Sequence, residues 1–111
     1  MPLPALSPRA ELARLALRSA LGHADVLGGV GGRDGVCVSV VGGERLRGVT
    51  VAAAPAGGYS VVLRLRTRMV PLLGLADDVR QRVRAAAATS PRAGRPGSIE
   101  VQIVDVEEAH D

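Results

Sequence analysis

Apolar and polar positions along the chain alternate with two different periods, and each change of period marks an element. Leu12, Leu15, Ala16, Ser19 and Ala20 recur at helical spacing, and Leu17 and Leu21 widen the stripe. Ser7 followed by Pro8 reads as a capped helix start, and Gly22 as its terminator. Gly28, Gly29, Gly31, Gly32 and Gly35 make the next stretch a flexible connection. Val36, Val38 and Val40 then alternate with Cys37 and Ser39, which predicts a half-buried strand. Gly42-Gly43 is a two-residue hairpin signal, and a second strand follows through Leu46, Val49 and Val51 with Gly48 as a candidate bulge.

After a turn at residues 55–58, the third strand carries the clearest alternation. Val61, Leu63, Leu65, Thr67 and Met69 point one way, and Val62, Arg64, Arg66 and Arg68 the other. Pro71 ends it. A second helix starts near Leu72 with a stripe of Leu72, Leu75, Ala76, Val79, Val83 and Ala86 or Ala87. Residues 90–97 form a Pro/Gly/Arg linker. Ile99, Val101 and Ile103 then alternate with Glu100 and Gln102 in a last strand, in which Val104 and Val106 shift the phase. The order α-β-β-β-α-β predicts a single small α+β domain spanning 1–111, with an ordered core at about 8–106 and short flexible termini. Its sheet is mostly antiparallel, with two helices on one face; the last helix-strand step allows a crossover.

Composition narrows the chemistry. The 111 residues include no Phe or Trp, and Tyr59 is the only aromatic, so the core is built from Val, Leu, Ile and Ala. All fourteen basic residues are Arg, and the formal net charge is only +3, which permits attraction to anionic surfaces without requiring it. A single cysteine, Cys37, excludes an intrachain disulfide and a multi-cysteine metal site. No apolar run reaches the ~20 residues that span a bilayer. The start, Met-Pro-Leu-Pro-Ala, has neither the basic nor the apolar region of a signal peptide, so a cytoplasmic location is expected.

Four segments resemble the alkaline shock protein family of envelope stress response proteins, particularly its short actinobacterial-type members. Ala24-Asp25-Val26-Leu27-Gly28-Gly29-Val30 is similar to the family's helix end and following turn. Gly43-Glu44-Arg45-Leu46-Arg47-Gly48-Val49-Thr50-Val51 is similar to its hairpin arm. Val62-Leu63-Arg64-Leu65-Arg66-Thr67-Arg68 runs through Val70-Pro71-Leu72 into Leu75-Ala76-Asp77-Asp78-Val79-Arg80. Ile99-Glu100-Val101-Gln102-Ile103-Val104-Asp105-Val106 is similar to its closing strand. The resemblance covers about residues 10 to 106. It implies a cytoplasmic, non-enzymatic domain that binds partner proteins, with a second copy or a membrane-anchored protein among the candidates, and it brings no catalytic residues.

Neither catalysis nor a cofactor is expected from the residues themselves. Cys37 with His23 is the only nucleophile-base pairing on offer, and a thiol on a Val-rich strand reads as structural; His110 falls in the tail. Asp77-Asp78 and Glu107-Glu108 are adjacent pairs whose side chains diverge, so no metal site is expected. The glycine run lacks the Gly-Lys-Ser/Thr of a phosphate loop and has Asp34 where a dinucleotide fingerprint requires Gly. The arginines remain. Val62, Arg64, Arg66 and Arg68 form the candidate interaction surface. Joined with Arg80, Arg82, Arg84, Arg92 and Arg95, they would make an alternative nucleic-acid or polyanion site, unless Glu100 or Glu44 on neighbouring strands neutralises them.

Overall fold

A computed structural model of the chain describes residues 6–32 and 37–108. It has the α+β class and two helices that the sequence predicts, with six strands: α1 (Pro8–Leu21), β1 (Val26–Gly29), β2 (Val38–Val41), β3 (Glu44–Arg47), β4 (Val49–Ala53), β5 (Tyr59–Arg68), α2 (Leu72–Ala88) and β6 (Pro96–Glu107). Ser7 caps α1 by accepting the Ala10 N–H at 3.1 Å, with Pro8 in the first turn.

β5 is the central strand. β6 runs parallel along one edge, joined through α2, while β4 and β1 pair antiparallel with the other edge in succession: β4 against residues 59–63 and β1 against 65–67. β2 and β3 form a separate antiparallel hairpin with Val41 opposite Glu44. Its turn residues Gly42 and Gly43 have φ of +57° and +83°, the conformation that a two-residue hairpin of this hand requires. Both helices lie over one face of the larger sheet, α1 over β4, β5 and β1, and α2 alongside α1 and over β6. Between them Val61, Leu63 and Leu65 of β5 meet Leu12, Ala16, Val79 and Val83 in an all-aliphatic core.

Four details correct the sequence expectation. The phase expected of the first strand is reversed, since Cys37 is buried while Val40 is 70% exposed and the strand runs only over Val38–Val41. The glycine stretch is not all connection, because Val26–Gly29 is β1 and the loop begins only beyond it; Val36, Arg33, Asp34 and Gly35 lie outside the described residues, as does His110. The second strand divides into β3 and β4 at Gly48. Met69 does not continue the buried row of β5: the strand ends at Arg68, and Met69 is 61% exposed. The phase shift in β6 is a bulge: Leu65 faces Ile103 but Arg66 faces Asp105, so Val104 is the extra residue, and Val106 returns to the helix side opposite buried Thr67.

The crossing at Gly48 holds four segments together. Val30 N–H donates to the Arg64 carbonyl, Arg64 N–H to Gly48, Gly48 N–H to Cys37, and Cys37 N–H to Gly31, each at 2.8–2.9 Å. Because Gly31 follows Val30, these bonds close a ring. Side chains are excluded where the strands cross: a Cβ on Gly29 would lie 2.1 Å from the Arg47 carbonyl oxygen.

Candidate interaction surface

The pleat sends Val62, Arg64, Arg66 and Arg68 to the face of the sheet away from the helices, since Val61, Leu63, Leu65 and Thr67 between them are buried beneath the helices. The four residues share a face but not an environment. Val62 is half-buried between Thr50 on β4 and Glu100 on β6. Arg64 is half-buried at the strand crossing, opposite Gln102, and its Nε is buried with no hydrogen-bond partner among the described residues. Arg66 and Arg68 are exposed. Arg66 lies opposite Asp105 and makes an ion pair with Glu107 at 3.3 Å, and Arg68 lies opposite Glu107.

The parallel register with β6 thus sets Arg66 and Arg68 beside Asp105 and Glu107, Arg64 beside Gln102, and Val62 beside Glu100. That face is a mosaic of both signs rather than a basic stripe. Glu44, the other carboxylate considered for this role, is elsewhere: it lies 3.7 Å from Arg14 of α1.

The helix arginines do not join the row on β5. Arg80 and Arg84 work on the helix side of the sheet, where Arg80 donates to Asp77 at 2.7 Å and to the Ile99 carbonyl at 3.1 Å. Arg84 reaches the Pro96 and Gly97 carbonyls at 3.4 Å. Two arginines expected to face an anion therefore hold the start of β6. Arg82 is exposed beside His23 and Asp78, and Arg92 and Arg95 are exposed in the linker. The two arginine rows thus do not form one surface.

Cys37 is only 2% exposed and sits against Thr50 and Arg64. Burial pushes its thiol above the usual cysteine value; the nearby Arg64 charge and hydrogen bonds from Thr50 and the Arg64 backbone pull it down without offsetting the desolvation. His23 has other partners. Its Nδ1 accepts the Asp25 N–H at 3.1 Å, and its Nε2 lies 3.6 Å from Asp78. The expected outcome is that a thiol reagent at neutral pH labels the native protein only as fast as the protein opens, and urea accelerates labelling sharply. Fast labelling of the native state would refute this burial. Because the folded-state pKa is raised, the thiol's contribution to stability is complete below the ordinary cysteine pKa and is lost as pH climbs through the raised value.

Among the described residues, no three His, Cys, Asp or Glu side chains converge as metal ligands, and no helix is long and apolar enough to cross a membrane. The described part of the glycine run borders a shallow depression of about 590 Å³ with Arg47 and Arg66 at its rim. The depression has no local sequence signal, because Arg47 and Arg66 come to it only through the pairing of β1 with β5 and the passage of the end of β3 against Gly29. No protein-family model, curated protein or solved structure matches this chain.

Proposed function

We propose that this chain is a non-enzymatic protein-interaction domain, of the cytoplasmic scaffold kind that its resemblance to the alkaline shock proteins implies, with a partner anchored near the envelope. The contact surface is the face of the sheet opposite the helices, centred on Val62, Arg66 and Arg68, with Arg64 holding the strand crossing beneath. The observation that carries the reading is the charge mosaic of β5 and β6: arginines beside carboxylates, next to a half-buried valine, on a face that neither helix covers. Interleaved charges of both signs suit a complementary protein surface, where they set register and reject wrong partners. A polyanion favours unpaired cations instead. Arg is also enriched among residues that dominate interface energies.

A second reading, binding of nucleic acid or another polyanion, draws on the depression between the glycine run, Arg47 and Arg66. One experiment separates the two: recovery of partners on the tagged protein from gently crosslinked, nuclease-treated cells, compared with the Arg66→Ala/Arg68→Ala variant. Both positions are exposed, so the variant folds. Specific proteins, a membrane protein among them, should be recovered and fall about tenfold in the variant, as for loss of an interface hot spot. Recovery of ribosomal or nucleoid components alone, abolished by nuclease, would replace this reading with the second.

A further inference from the structure

β6 is paired on one side only. Among the described residues its sole strand partner is β5, which leaves its other edge without a neighbouring strand over an element that runs from Pro96 to Glu107. An unpaired edge is a template for another extended chain. At the beginning of β6 the Pro96, Gly97 and Ile99 carbonyls already accept from Arg84 and Arg80, so the stretch left without such contacts is residues 100–107.

That stretch has a definite chemistry. Glu100, Gln102, Asp105 and Glu107 face away from the helices, and the strand carries no basic residue. On the helix side Val101, Ile103 and Val106 remain partly exposed, whereas Val61, Leu63 and Leu65 on β5 are at most 1% exposed. A further strand would therefore meet acid on one face and uncovered aliphatic surface on the other. β5 shows what such a neighbour looks like, since its alternating aliphatic and Arg residues match β6 position by position, Arg66 against Asp105 and Arg68 against Glu107. The bulge at Val104 keeps the regular runs on either side short, which suits a short segment and discourages endless stacking.

From this we infer that residues 100–107 of β6 accept, by strand addition, a short extended segment of a partner protein in which apolar and basic residues alternate. The inference deepens the interaction reading and rests on it. A second copy of the chain is a poor occupant: β6 against β6 would bring carboxylates together, and the arginine-bearing β5 of a second copy is already paired along both edges.

The test uses the full chain and a short fluorescent peptide of alternating valine and arginine, followed by anisotropy at physiological salt. Three comparison peptides or proteins complete it: the peptide with glutamate for arginine, the peptide N-methylated at alternate residues, and the Glu100→Lys/Asp105→Lys protein, altered at two exposed positions. Saturable binding of the Val/Arg peptide is expected, with a loss of about tenfold or more in each comparison, because both charge and backbone pairing are required. Equal binding of the N-methylated peptide would reduce the effect to charge attraction and overturn the inference. So would absence of binding, indifference to the two lysine substitutions, or a dimer in sedimentation that those substitutions abolish. If partners are recovered from cells through Arg66 and Arg68 while the peptide does not bind, the edge is excluded and the interaction reading stands.

Discussion

Gly48→Ala should unfold the domain or destabilise it by about 3 kcal/mol or more, because it combines backbone strain with collision against backbone. Gly48 has φ of +97°, which L residues rarely adopt, and a Cβ there would approach the Arg64 carbonyl oxygen and Gly29 Cα to 2.7 Å and Val30 N to 2.9 Å. All three are backbone atoms of the crossing, so none can swing aside without breaking the hydrogen-bonded ring. Gly43→Ala is the internal comparison. Its φ is +83°, but nothing lies within 4 Å of the new Cβ, so only backbone strain of about 1 kcal/mol is expected. Urea unfolding of the two variants separates strain from collision; similar midpoints for both would show that the crossing yields.

Leu63→Ala is the second large effect, expected to cost about 3–4 kcal/mol in the same assay. Leu63 is 0% exposed and lies between Val49 of β4 and Val101 of β6, beneath both helices. The buried core around it is built of Val, Leu, Ile and Ala, with no fully buried aromatic ring to tilt into the space, so the cavity stays open and its cost adds to the lost transfer energy. Arg66→Ala, three residues further along β5 and on the opposite face, removes an exposed ion pair and should change stability by less than about 1 kcal/mol. A loss below about 1.5 kcal/mol at Leu63 would mean that the core repacks around the gap.

What could be read in the sequence was whatever is encoded locally. The alternation from Val61 to Thr67, the helical stripe Leu75, Ala76, Val79 and Val83, and the Gly42-Gly43 turn each state a period or a backbone hand within a few residues, and each stands in the structure. Even the bulge at Val104 announced itself as a phase shift. β1 did not, because glycine weakens any strand signal; its Gly29 answers to the Arg47 and Gly48 backbone passing nearby, a neighbour far along the chain. The ends of elements misled for a related reason. Met69 keeps the alternation of β5 and Leu72 the stripe of α2, yet both lie where the layers stop, and they are 61% and 40% exposed.

The candidate surface obeyed the same division. That Val62, Arg64, Arg66 and Arg68 share a face is a property of one strand. That Asp105 and Glu107 lie beside them depends on the parallel register with β6, and that Arg80 and Arg84 turn to its carbonyls depends on where α2 docks. Neither is written within a window of sequence, so the two arginine rows looked like one potential surface when they are two.

The placement of β6 has a consequence for synthesis on the ribosome. β5 receives its antiparallel neighbours from chain already made, but its other edge waits while residues 69–95 are added before β6 begins. At roughly 5–20 residues per second that interval lasts on the order of seconds. Through it, a strand bearing Val61, Leu63 and Leu65 is open to any nascent neighbour, and Arg64, Arg66 and Arg68, interleaved with them, act as gatekeepers whose mutual repulsion keeps two such edges from meeting. The carboxylates that later settle beside those arginines arrive with the strand that closes the edge.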